Sequence, residues 1–168
     1  MGLPKKSNGE LLGLIALCSY MHPGGFDQGE FIRSIGSLPF VEWDSPVEGL
    51  CVFKDPPSLF YTPDVPTDRI DWAIPRVRPQ SVAASMGVVP PQIWQDDTYT
   101  GQLGYIRCTA DAAIPIEQQD SIIEVAGGQE RWVVRTLEGS GHSPFLSRPD
   151  QVATAIDEIV KEFEAKLQ

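Results

Sequence analysis

The chain has 168 residues, 42% hydrophobic and 21% charged, which suits one soluble domain with a sizeable core. Its formal net charge is −10, and no run of Lys or Arg is long enough to grip phosphates, so a nucleic-acid partner is excluded. An acidic substrate would also need local positive charge; a neutral or apolar small molecule fits better.

Residues 1–23 open with Lys5 and Lys6 and then the apolar run "LLGLIALC", Leu11 to Cys18. This imitates a secretory signal peptide, but Glu10 precedes the run, no A-x-A site follows, and Pro23-Gly24-Gly25 forms a turn. A buried β-strand over Leu11–Cys18 is the preferred reading. The run is too short to span a bilayer, and no membrane partner is expected. "MGLPKKS" also misses the myristoylation pattern, with Lys6 where Ser or Thr is required. Cys18, Cys51 and Cys108 form no C-x-x-C pair, and an odd number cannot all be bridged internally. Buried thiols in a reducing, cytoplasmic setting follow.

Residues 24–97 differ in texture, holding 10 of the 15 prolines and nine of the fifteen aromatics with little periodicity. Such a density of Pro predicts irregular backbone with short helical pieces such as Thr67–Ile74. The aromatics predict that the segment packs on something, and a cap over an apolar pocket meets both demands.

Residues 98–168 are regular. "LGYIRCT" (Leu103–Thr109) reads as a buried strand, and Pro115 opens the helix "IEQQDSIIEVA", which Gly127 and Gly128 stop. "RWVVRTL" (Arg131–Leu137) is the next strand. A last helix begins near Pro149, with Ser147 and Asp150 as a capping pair. Val152, Ile156, Ile159, Phe163 and Leu167 form its apolar face, and the acidic run "DEIVKEFEAK" its solvated one. Strand, helix, strand, helix implies parallel strands with a right-handed crossover. The expected fold is α/β, with residues 1–23 and 98–168 forming the core and 24–97 the cap.

Ligands of open parallel sheets collect beyond the carboxyl ends of the strands. Asp111 lies just past one strand and His142 just past the next, so adjacent strands would bring both to one rim. A carboxylate there accepts the imidazole N–H and leaves the other ring nitrogen free to take a proton from a hydroxyl. Position alone is served equally well by a turn histidine and a solvated aspartate. His22, the other histidine, reads as a surface turn residue, although it could face the pocket. A metal site from His22, His142 and Asp111 lacks ligand spacing, and no cofactor is expected. Cys18 and Cys108 sit in apolar strand runs, where burial keeps a thiol protonated.

"YIRCTADAAIPIEQQ" and "GSGHSPFLSRPDQVATAI" resemble the last third of the α/β-hydrolase superfamily, closest to the branch of small esterases with plant methyl esterases and hydroxynitrile lyases. "RPQSVAAS" and "FYTPDVP" resemble that branch's helical cap, and "LLGLIALCSYMHPGG" the strand that leads into it. The resemblance implies that Asp111, within a Cys-Thr-x-Asp-x-x-Ile-Pro pattern, is the acid of a catalytic triad. It implies that His142, in a Gly-x-x-His loop, is the base. Ser143 and Pro144 follow His142, where the branch's lyases carry a lysine, so ester hydrolysis is implied rather than cyanide elimination.

The pattern departs at the nucleophile. Family members carry a serine in a G-x-S-x-G-like elbow before the strand that here is Leu11–Cys18. No G-x-S-x-G occurs in this sequence, "GSGHS" fails the spacing, and Ser7 has no strand before it. The chain thus resembles the carboxyl-terminal two-thirds of such an enzyme: a partial α/β-hydrolase fold of three mostly parallel strands with flanking helices and an irregular cap. Its expected substrate is a small, largely apolar ester, with no turnover expected from the chain alone. The alternative is a non-catalytic fragment that binds an apolar ligand or a partner chain. Without the nucleophile strand beside it, Leu11–Cys18 becomes a bare sheet edge prone to self-association.

Overall fold

A computed structural model describes residues 11–36 and 38–166; Lys5, Lys6, Ser7, Glu10 and Leu167 lie outside them. In chain order the elements begin with β1 (Leu14–Leu17), α1 (Gln28–Ser34), β2 (Val41–Trp43) and β3 (Leu50–Phe53). A single wide turn of helix (Pro57–Tyr61) leads to α2 (Thr67–Ala73), β4 (Gln80–Ser81) and α3 (Val82–Ser85). Then come β5 (Leu103–Cys108), α4 (Ile116–Val125), α5 (Gly128–Arg131) and β6 (Trp132–Leu137). The short α6 (Pro144–Ser147) and the long α7 (Pro149–Lys166) close the described chain.

Strands β1, β5 and β6 form a parallel sheet in the order β1-β5-β6. Alternation along β5 and β6 assigns the two faces. Leu103, Tyr105 and Trp132 pack with Trp94 and with Ile123 and Ala126 at α4, while Ile106, Cys108, Val133 and Leu137 pack under α7. Both faces are covered, as a parallel sheet requires. From α7 the core receives Val152, Ala155, Ile159 and Phe163; Ile156, expected on that face, is 40% exposed because the inward stripe runs through Ala155. Gly104 lets α7 approach, since a Cβ there would meet Ile159 Cγ2 at 2.6 Å.

Three local expectations change. The strand expected over Leu11–Cys18 shortens to Leu14–Leu17 and is only half-buried, because β5 pairs it on one side and the other side is open among the described residues. Residues 24–97, expected as irregular backbone with helical pieces, also hold a small antiparallel sheet in the order β2-β3-β4. These strands of two to four residues are too short to show alternation in sequence. The capping pair Ser147–Asp150 does not form. Ser147 closes α6 with its hydroxyl buried and unpartnered, and Arg148 sits at the junction with its side chain turned elsewhere. No helix among the described residues is long and apolar enough to cross a membrane.

Candidate active site

The register of β5 on β6 runs from Leu103 opposite Trp132 to Cys108 opposite Leu137, so both strands end level. The loops beyond them leave from one rim, and they bring Asp111 and His142 together. His142 Nδ1 lies 2.9 Å from Asp111 Oδ2. A carboxylate accepts there, so Nδ1 carries the proton and Nε2 is the ring nitrogen left for chemistry. The Asp111 side chain is fully buried and the His142 side chain is 25% exposed. The acid is thus inside and the imidazole reaches solvent, as a proton carrier needs.

The Asp111 loop is built around that carboxylate. Oδ1 accepts the backbone N–H groups of Ala113 at 2.8 Å and Ile114 at 2.9 Å, closing an Asx-type turn. Gln119, wholly buried on α4, latches the loop to its strand. It accepts from Cys108 N–H at 3.0 Å and donates to the carbonyls of Cys108 at 3.0 Å and Ile114 at 2.7 Å. Sequence reading passed over Gln119; a glutamine on the inward face of an otherwise apolar helix was the available signal.

Strand β1 delivers Cys18 to the same rim. The Cys18 backbone turns through φ +33, and its thiol donates to the His142 carbonyl at 3.3 Å. The neighbouring Cys108 sulfur and then burial push the Cys18 thiol up, so it stays protonated, in keeping with a structural role. Cys18, Asp111 and His142 offer donor atoms within 4.8 Å of one another, and His22 is not in that group. Hydrogen bonding already accounts for the cluster, with the thiol on the His142 carbonyl and Nδ1 on the carboxylate. Tyr105, fully buried, holds the exit of β1 by accepting from Ser19 N–H at 3.0 Å and donating to Ser19 O at 2.8 Å.

His22 is not the surface residue expected. It is half-buried, stacked between Phe26 at 4.3 Å and Tyr20 at 5.4 Å, and burial lowers its pKa. Tyr20 in turn donates to Gln118 Oε1 at 3.2 Å, and burial followed by the Asp111 charge raises its pKa. Tyr20 and His22 form one wall of a cavity of about 510 Å³. Phe31, Phe40, Trp43 and Phe53 line its other side, and Ala112, Ala113 and Pro115 close it beside the Asp111 loop. Among the described residues, no Asp, Glu, Lys or Arg lines it. Asp111 and His142 do not line it either, although Ala112 and Ala113, which follow Asp111 in the chain, do.

With this geometry in hand, relatives are informative. The sequence profile of the Alpha/beta hydrolase family matches residues 11–155, and the chain belongs to that family. Norfluorocurarine synthase 2 from Strychnos sp is 34% identical over 58 residues, which is 34% of this chain and 21% of that protein. Among solved structures, a methylesterase from Arabidopsis superposes with a TM-score of 0.63 at 17% identity, covering 88% of this chain and 58% of its own. Polyneuridine aldehyde esterase gives 0.59 at 15% identity, covering 86% and 60%. A pyrethroid hydrolase from Sphingobium faniae gives 0.58 at 17% identity, covering 89% and 61%. The chain therefore spans about three-fifths of the length of these solved relatives.

Proposed function

We propose that this chain carries the acid–base half of an ester hydrolase of the small-esterase branch. Asp111 orients His142 and stabilises the imidazolium; His142 Nε2 takes the proton of a hydroxyl nucleophile and later returns it to the leaving alcohol. The observation that carries this is the 2.9 Å contact between Nδ1 and a carboxylate already gripped by two backbone N–H groups. The names of the structural neighbours support the branch, and an aromatic cavity that no Asp, Glu, Lys or Arg lines among the described residues supports a small, largely apolar ester. Residues 24–97 act as the cap that shapes it. Three free, buried thiols support a cytoplasmic setting.

The hydroxyl comes from outside these 168 residues, since no G-x-S-x-G occurs in them, and the isolated chain is expected not to turn over. The open side of β1 is where a supplying strand, or a second copy of this chain, would pair. A concentration-independent monomer in sedimentation would count against that pairing.

A second reading has its own support. The cavity is lined by neither Asp111 nor His142, as suits a module that binds an apolar ligand or a partner without reacting with it. Hydrolysis of a short-chain aryl ester by this chain paired with a segment that carries a nucleophile elbow, assayed with wild type and His142→Ala, separates the two. Turnover that His142→Ala abolishes supports the hydrolase; aryl-ester binding without turnover, unchanged in His142→Ala, supports the binding module.

A further inference from the structure

The His142 loop is held from two sides, and only one of them is the sheet. On the sheet side, Gly139 N–H donates to Thr109 Oγ1 at 2.7 Å and Ala110 N–H to the Ser140 carbonyl at 2.9 Å, beside the Cys18 contact. On the other side stands the segment Phe60–Asp64. Asp64 Oδ1 accepts the Gly141 N–H at 3.0 Å, and its Oδ2 accepts Arg148 Nε at 2.8 Å. Arg148 then turns back over the loop, donating to the carbonyls of Glu138 at 2.6 Å and Gly139 at 2.8 Å. The Thr62 carbonyl presses on Gly141 so closely that any Cβ there would collide with it. The Phe60 ring lies 5.4 Å from the imidazole.

This is more than a surface ion pair. The Asp64 side chain is 12% exposed and that of Arg148 27%, so water competes weakly for their charges. The guanidinium fork serves one carboxylate and two carbonyls at once, which a lysine ammonium on a flexible stem does not reproduce. Every residue the pair grips lies within four positions of His142: Glu138, Gly139 and Gly141. The sheet-side bonds fix where the loop leaves the core, whereas the Asp64–Arg148 bonds fix the turn immediately before the imidazole.

We propose that Asp64 and Arg148 are positioning residues, which lock the His142 loop onto the segment Phe60–Asp64 and so hold the imidazole on Asp111. The acid–base pair is then assembled only while that segment is docked. The inference rests on the reading of Asp111 and His142 as an acid–base pair, but its test does not depend on turnover.

The readout is the hydrogen-bonded Nδ1–H proton of His142 in NMR spectra of the full chain, assigned by its loss in His142→Ala, together with exchange protection of the Gly141 amide. Arg148→Ala and Asp64→Ala are expected to speed exchange of both protons about tenfold or more, with Arg148→Lys intermediate. The double variant should be no worse than the stronger single one, because the two residues act as a unit. Ile159→Val, which loosens the core without touching the loop, should leave both protons as in wild type. Unchanged exchange in Arg148→Ala and Asp64→Ala would overturn the proposal, as would equal acceleration by Ile159→Val. If Arg148→Ala does not fold, Arg148→Lys decides on the same two protons. Failure of the hydrolase reading looks different: the exchange pattern would stand while no assembly hydrolyses an ester.

Discussion

Strand β5 excludes solvent from Leu103, Tyr105, Ile106 and Cys108 completely, and Ile159 of α7 is as deeply buried. In the segment between β1 and β5, Ile32 and Cys51 keep 5% exposure and Trp94 keeps 8%, while Phe31, Trp72 and Val88 stand well out. One region is a sheet packed on both faces; the other is built of short strands, short helices and turns that line much of a cavity. The sheet fixes where Asp111 and His142 meet. The second region lines much of the cavity, and its Asp64 accepts a hydrogen bond from the histidine loop. Substitutions in the first should damage folding or chemistry, and substitutions in the second should damage ligand fit.

The sharpest separation is expected in chemistry. In any assembly of this chain that hydrolyses an ester, His142→Ala should abolish turnover. Asp111→Asn should lower kcat about 10⁴-fold by leaving the imidazole in the wrong tautomer, with KM little changed. Stability comes next. Ile159→Ala should cost about 2–5 kcal/mol by opening a cavity under α7, seen as a lowered denaturation midpoint. Phe31→Ala, on the cavity wall and 44% exposed, should barely move that midpoint yet weaken aryl-ester binding about tenfold. Equal melting losses from the two variants would erase the distinction between the regions.

Smaller effects refine it. Gly104→Ala should cost about 1–3 kcal/mol, because its Cβ would overlap Ile159 and press on Ile15. His22 probes the wall by pH. Its pKa is lowered from 6.5 by burial, so below that value the unfolded chain binds more protons than the folded one. Stability is therefore full above 6.5 and declines as pH falls toward the folded pKa, and His22→Phe should flatten that decline in melts recorded across the interval. An unchanged slope would mean that the ring is not buried in the stack with Phe26 and Tyr20.

The core was legible in sequence because its strands are long enough to declare themselves. Leu103–Cys108 and Trp132–Leu137 lie within one residue of the expected bounds, and α7 begins at the expected Pro149. Strand ends placed Asp111 and His142 on one rim but left the pairing open; the resemblance to the small-esterase branch chose it, and the loops beyond the level strand ends do meet there. What stayed hidden depends on long-range packing. Asp64 reads as one acid among prolines, and Arg148 as a linker residue, until the fold closes the 84 positions between them. The sheet β2-β3-β4 is set by pairing rather than by pattern. His22 misled because a histidine after a strand and before Pro-Gly-Gly looks like a turn, whereas its neighbours Tyr20 and Phe26 stack on it.

Which nitrogen of His142 carries the proton is the most direct question to ask of this chain. Nitrogen-15 NMR of the imidazole, recorded in alkaline solution, should show the proton on Nδ1 in wild type and a loss of that preference in Asp111→Ala. A proton on Nε2 in wild type, or a tautomer indifferent to Asp111, would contradict the account at its root.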